Sequence, residues 1–347
     1  MSNIFIIKIL VLTTLSFLVA FSLTPVLTHF LYKYKMGKSI RNTGLTPIFS
    51  RLHAHKAGTP TMGGILIWLT TLVLALLFFY IHFYFPESYL GSLNFLTRSE
   101  TVLPLGALIL TAIVGLADDV IDIKNNGKGG IKLWHRLIIY TIIATIGAYW
   151  FYFKLDWDVF HIPFMGDFSI GWWYFPVFIF VIVSTAFSVN EIDGLDGLAG
   201  GTLLAAFAAF GTIAFIQGRM DLAAFCAVII GSLLAFLWFN ITPARFIMGD
   251  TGAMALGITL GIVAMLTNQA LLLPIIGFLF VIESLSVIIQ QISKKLRHGK
   301  KIFLSSPIHH HFEALGWSEA KIVMRFWVIA GVTAVSGIIV FLLDKGI

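Results

Sequence analysis

Residues 188–201 read Ser-Val-Asn-Glu-Ile-Asp-Gly-Leu-Asp-Gly-Leu-Ala-Gly-Gly, which sets Asn190, Asp193 and Asp196 among four glycines between two apolar runs. Carboxamide and carboxylate oxygens are the hard ligands that Mg²⁺ prefers, and glycine lets a backbone bend toward a ligand. A polar loop with ordinary Asp-Gly turns has the same composition, so this stretch does not decide the matter alone. A second acidic group, Asp118 and Asp119 with Asp122 beyond them, ends an apolar run. Adjacent carboxylates disfavour each other's charge unless a cation or hydrogen bonds offset it, which points to metal binding or proton transfer rather than a solvated helix end. Asp250 follows Gly249 in Met248-Gly249-Asp250-Thr251-Gly252. Near the start, Lys56 and the hydroxyls of Thr59 and Thr61 lie in a Gly- and Pro-marked turn. They suit phosphate oxygens, although a capped helix start beside ordinary basic residues reads the same way. Late in the chain, His309, His310 and His311 follow Pro307. Adjacent imidazoles do not easily face one ion, so zinc ligation and hydrogen bonding to a polyanion both stay open. Glu283, inside an apolar run, reads as a packed structural acid or as a functional one.

These residues must be positioned by membrane helices. Of 347 residues, 58% are hydrophobic and 12% charged, and the mean hydropathy is +0.93. At roughly 20 apolar residues per span, about ten helices fit: Ile4 to Tyr32, Met62 to Phe85, Leu103 to Ala117, Leu137 to Phe153, Ile170 to Ser188, Leu198 to Ile216, Leu222 to Asn240, Gly252 to Leu266, Leu271 to Ile292 and Ile322 to Leu343. The runs are continuous rather than alternating, which excludes a transmembrane β-barrel. The expectation is one all-α polytopic membrane domain over residues 1–347, whose first helix is retained rather than cleaved. Cys226, the single cysteine, lies in an apolar run as a buried thiol.

Basic residues set the orientation. Lys33, Lys35, Lys38, Arg41, Arg51, Lys56, Lys124, Lys128, Lys132, Arg136, Arg245, Lys294, Lys295, Arg297, Lys300, Lys301, Lys321 and Arg325, 18 of the 23, fall on one side of the drawn topology. That side is the cytoplasm, and both termini face outward. The net charge of +6 is then mostly this bias, with no nucleic-acid partner implied. Every stretch with chemistry falls on the same cytoplasmic face. Acids for Mg²⁺, cations for phosphate and glycines for close approach are the parts of a phosphoryl-transfer site, here one that joins a soluble anionic donor to a membrane lipid.

At these residues the chain resembles the phospho-N-acetylmuramoyl-pentapeptide transferases, within the polyprenyl-phosphate N-acetylhexosamine-1-phosphate transferase superfamily. The shared positions are Lys56 with Gly58 to Gly64, Asp118-Asp119, Asn190 with Asp193 to Ala199, and Met248 to Gly252. More selective is Pro307-Ile308-His309-His310-His311-Phe312-Glu313, followed by Gly316-Trp317 and Arg325-Phe326-Trp327. The resemblance implies ten helices in a bacterial inner membrane, a homodimer, and transfer of phospho-MurNAc-pentapeptide from UDP-MurNAc-pentapeptide to undecaprenyl phosphate. Lipid I and UMP are the products. It implies Mg²⁺ on Asn190 and Asp250, with Asp118, Asp119 and Asp250 in the catalytic set: Asp118 as the base that readies the lipid phosphate and Asp119 as its positioning partner. It also implies a substrate-binding set of Lys56, Thr61, Asn190, Asp193, Asp196, Phe246, His309, His310 and His311. The chain departs from the pattern at Asp122, where lysine is usual, at Phe187 and Glu191-Ile192, and at Ile247, where a phenylalanine commonly stacks on uracil and Phe246 is the adjacent ring. Arg136 stands where lysine is frequent and keeps the charge.

Other classes compete. A GlcNAc-1-phosphate transferase would share the acids but not the full histidine block. A transporter would place polar residues at the bilayer midplane in inverted repeats, and an inactive scaffold would tolerate Asp122 and Ile247.

Overall fold

A computed structural model describes residues 2–37, 52–53, 56–125 and 129–346. Lys38, Arg41, Arg51 and Lys128, used above for orientation, lie outside the described residues. The helices are α1 (Ser2–Lys33), α2 (Ile65–Tyr84), α3 (Val102–Lys124), α4 (Leu133–Lys154), α5 (Tyr174–Ile192), α6 (Leu198–Ile216), α7 (Met220–Asn240) and α8 (Asp250–Leu266), followed by α9 (Leu273–Ile276), α10 (Phe278–Leu296), α11 (Ile308–Ala314) and α12 (Glu319–Lys345). Among the described residues, eight helical segments are long and apolar enough to cross a bilayer, and a ninth span results if α9 and α10 are counted together. Their outward faces are apolar: Ile138, Ile142, Ile146, Tyr149 and Phe153 form an exposed stripe along α4, which suits lipid and not water.

α8 is the axis of the bundle. It is a shorter apolar helix, and every residue from Thr251 to Leu266 is buried. Close packing against α3 and α5 is possible because small residues let backbones approach. A Cβ on Gly115 of α3 would lie 2.3 Å from the Asp250 carbonyl oxygen, and one on Gly257 of α8 would lie 2.8 Å from the Ala186 Cα of α5.

Four features differ from the sequence expectation. α3 runs to Lys124, so Asp118 and Asp119 sit within its last two turns rather than past its end. The segment Leu271 to Ile292 is not a straight span, because α9 and α10 are bent by 82° about Gly277. α10 is amphipathic in the inverse sense of a soluble helix: Glu283, Ser284, Ser286, Gln290 and Ser293 are buried, while Leu285, Ile288, Ile289, Ile292 and Leu296 are exposed. Between α4 and α5 stands an antiparallel hairpin of β1 (Val159–Ile162) and β2 (Gly166–Ser169). His161 fastens it to α12, with Nδ1 2.6 Å from Asp167 and Nε2 2.7 Å from Asp344.

Candidate active site

The ends of α3, α5, α8 and α11 and the loops beside them enclose a cleft of about 370 Å³. Lys56, Thr61, Asp119, Asp122, Arg136, Asn190, Asp193, Asp196, Asp250, His309 and His310 line it. Stretches more than 250 residues apart in the chain, from Lys56 to His310, therefore form one wall-to-wall site.

One wall is acidic. Gly249 has φ +74°, and a Cβ there would lie 2.6 Å from Thr61 Oγ1 and 2.7 Å from Asp119 Oδ2, so the turn into α8 admits no side chain. Asp119 accepts hydrogen bonds from the backbone N–H groups of Asp250 and Thr251, both at 3.1 Å. These are the orphan donors of a helix start, so Asp119 on α3 caps α8 and fixes the direction of Asp250. Asp250 accepts from Asn190 Nδ2 at 2.6 Å. The Arg136 guanidinium then donates to Asn190 Oδ1 at 3.1 Å and to the two Asp250 oxygens at 3.2 and 2.9 Å. It also lies 2.5 Å from Asp118 Oδ2 as an ion pair, while Asp118 Oδ1 accepts from the Ile131 N–H. Asp118 is fully buried and is joined to the cleft lining through Arg136. Oxygens from three helices thus converge on one cation, a donor set of hard ligands that fits Mg²⁺.

A second cluster ties the glycine-rich loop in place. Lys56 Nζ donates to Asp196 Oδ1 at 2.7 Å and to Glu319 Oε1 at 2.5 Å, and Glu319 also accepts from the Asp196 N–H at 2.6 Å. Asn240 accepts from the Gly197 N–H at 2.9 Å and donates to the Phe246 carbonyl at 2.8 Å, joining the loop to the entry of α8. Sequence reasoning missed Glu319 and Asn240. The available signal was an acid in the first turn of the last helix and a carboxamide at the end of an apolar one.

The other wall is α11. His309 is buried with Nδ1 3.0 Å from Glu283 Oε2, and His310 Nδ1 lies 2.6 Å from Glu313 Oε2. Glu313 is also 3.0 Å from His53 Nε2. Burial pushes His309 down, but the Glu283 carboxylate overrides it and the pKa is raised. Burial and the neighbouring His309 push His310 down to about 3. Burial acts to raise Glu313, yet the hydrogen bonds from His310 and His53 hold it at about 2. The zinc alternative does not fall on the three consecutive histidines: one ligand atom each from His53, His310 and Glu313 lie within 4.8 Å of one another, and Glu313 already bonds both rings.

Two residues of the expected binding set stand elsewhere. His311 does not line the cleft; its Nδ1 accepts from the Leu304 N–H at 3.2 Å and its ring packs on Phe303. Phe246 is fully buried against Phe236 and Phe239, and Ile247 faces the cleft in its place. Phe246 is turned into the core while Ile247 lines the cleft, so the ring beside Ile247 does not substitute for it in this arrangement.

The sequence profile described as Glycosyl transferase family 4 matches residues 101–268, and a phospho-N-acetylmuramoyl-pentapeptide-transferase signature matches residues 56–67. A Bacillus anthracis phospho-N-acetylmuramoyl-pentapeptide-transferase is 39% identical over 339 residues, covering 95% of this chain and 97% of the relative. The chain belongs to the phospho-N-acetylmuramoyl-pentapeptide transferase family. A Geobacillus sp. relative of the same name is 42% identical over 331 residues, 93% of this chain and 95% of its own. A Chloroflexus aggregans one is 38% identical over 324 residues, 89% of this chain and 83% of its own. Membership makes the chain a polytopic membrane transferase. The family signature falls on the segment that carries Lys56 and Thr61, both of which line the cleft.

Proposed function

We propose that this cleft transfers phospho-MurNAc-pentapeptide from UDP-MurNAc-pentapeptide to undecaprenyl phosphate on the cytoplasmic face of a bacterial inner membrane, forming lipid I and releasing UMP. The names of the relatives support the substrates, and the charge bias of the loops supports the orientation, with both termini outside. The observation that carries the reading is the convergence of Asn190, Asp250 and Asp118 on one cationic centre, opposite a wall of histidines. That is a place for a diphosphate and its counter-charges.

In this reading Asn190 and Asp250 hold Mg²⁺, which when bound neutralises charge on the diphosphate and the leaving phosphate. An oxygen of the lipid phosphate attacks the sugar-bearing phosphorus of the donor, and the bond from that phosphorus to the UMP oxygen breaks. Arg136 turns from the carboxylates to the incoming phosphates, and that movement uncovers Asp118 to take the proton of the lipid phosphate. Asp119 keeps Asp250 aimed by capping α8. Lys56, Thr61, Asp193 and Asp196 line the donor side of the cleft, with His309 and His310 as hydrogen-bond partners of the diphosphate. The resemblance adds a homodimer, which light scattering of the detergent-solubilised chain checks.

The test offers radiolabelled UDP-MurNAc-pentapeptide and UDP-GlcNAc separately, with undecaprenyl phosphate and Mg²⁺. Lipid-linked product from the muramoyl donor and its loss with EDTA are expected. Product from UDP-GlcNAc alone would make the chain a GlcNAc-1-phosphate transferase.

A further inference from the structure

Glu283 is a buried acid that the reaction above does not use. It lies on the inward face of α10 with no solvent exposure, and its neighbours on that face hold the chain that follows. Gln290 Oε1 accepts from the N–H groups of Ile302 and Phe303 at 2.9 and 3.1 Å, and Ser293 Oγ donates to the Lys300 carbonyl at 2.9 Å. α10 thereby sets the loop leading into α11 and brings His309 to Glu283. The His309 Nδ1 beside that carboxylate carries a proton. Glu283 Oε1 and His309 Nε2, both buried, have no hydrogen-bond partner among the described residues. The neighbour at Nε2 is Gly194 of the cleft wall, where a Cβ would lie 2.2 Å away.

The three histidines differ in this respect. His310 gives Nδ1 to Glu313, and His311 stands outside the cleft. Of the three, His309 alone pairs one nitrogen with a carboxylate that no other side chain among the described residues shares and directs the other at the cleft wall.

We propose that Glu283 is a positioning residue that holds His309 by Nδ1, so that the Nε2–H edge donates to an anionic oxygen of a diphosphate in the cleft. The proposal rests on the diphosphate reading of the site. A neutral amide at position 283 would still hold the ring but would no longer support an imidazolium, so the outward edge would lose its charge and, where the amide oxygen accepts from Nδ1–H, its proton. The charged groups facing His309 are Glu283 from α10, Glu313 from α11 and Glu191 from α5.

Binding of UDP and of UMP to the purified full-length chain, by calorimetry, tests this. Glu283→Gln and His309→Ala should each weaken UDP by about ten- to a hundred-fold, the loss expected for one charged hydrogen bond, with UMP unchanged. The double variant should be no weaker than either single one. Independent, additive losses, equal losses for both nucleotides, or no change would each overturn the proposal. Gly194→Ala, whose Cβ would displace the His309 ring at its Nε2 edge while leaving the Glu283 carboxylate in place, should reproduce the UDP defect if Glu283→Gln does not fold. Unchanged UDP binding in that variant would also overturn the proposal. A wild type that binds UDP through this pair but makes no lipid-linked product would refute the transfer reading and leave the pair standing.

Discussion

The two walls of the cleft handle charge in opposite ways. On the acidic wall, carboxylates from different helices share one cation, and the Asp250 and Arg136 side chains keep 20% and 14% of their surface exposed. On the histidine wall, His309 is paired with Glu283 and His310 with Glu313, which also bonds His53, and Glu283 and His309 are essentially closed to solvent. The first wall can exchange its cation for another because no single partner holds it. The second cannot exchange anything without breaking a buried pair, which is the property needed to keep donors in fixed orientation.

The difference can be broken most strongly at Asp118. Asp118→Asn keeps the size and the Ile131 contact but removes the proton acceptor, so turnover should fall about 10²- to 10⁴-fold with UDP binding intact. Parallel loss of fold, by thermal denaturation, would make the residue a structural counter-charge to Arg136. Asp250→Ala removes an oxygen ligand, and a loss of about 10²- to 10³-fold is expected, as for other deleted transition-state contacts. Near-normal turnover there, with the same Mg²⁺ titration curve as wild type, would move the metal elsewhere.

Smaller effects concern stability. Asp119→Ala leaves two N–H groups at the start of α8 without their acceptor and should cost about 0.5 to 2 kcal/mol, read from the melting curve, together with some turnover because Asp250 loses its aim. On the other wall the sign follows from proton counting. His310 titrates at about 3 in the fold against 6.5 in the free side chain, so the unfolded chain binds more protons between those values, and stability falls as pH drops through that window. His309 is raised and is protonated in both states there, so it adds no slope. Glu313, held at about 2 against 4.5, adds to the loss below pH 4.5. The His310 contribution to the slope near pH 5.5 should be at most about 1.4 kcal/mol per pH unit, and the measured slope should fall by that amount in His310→Gln. A slope unchanged by that substitution would place the titrating group elsewhere.

Much of this was legible from residue types because membrane sequences leave so few polar residues unexplained. Acids, glycines and histidines on one side of a drawn topology have little choice but to meet, and Lys56, Asp119, Asn190, Asp193, Asp196, Asp250, His309 and His310 share the cleft. What was not legible depends on pairing. Arg136 reads as one more loop cation until the fold delivers three helices' oxygens to it. The bend at Gly277 was masked by a continuous apolar run, although Glu283, Ser284, Ser286, Gln290 and Ser293 fall on one helical face and carried the signal. Which of Phe246 and Ile247 faces the cleft is set by the packing of Phe246 on Phe236 and Phe239 of α7, not by composition.

The burial of α8 from Thr251 to Leu266 has a consequence for how the protein answers to its bilayer. Seventeen residues at 1.5 Å each make a helix of roughly 26 Å, shorter than a hydrocarbon core of about 30 Å. A lipid-facing helix of that length would have to thin the membrane or draw in its flanking residues. α8 is sheathed by its neighbours and faces no such mismatch. The depth of Asp250 is therefore set by protein packing alone. Acyl chains of different length should tilt or strain the outer helices while leaving the height of the reacting carboxylate above the membrane midplane nearly constant.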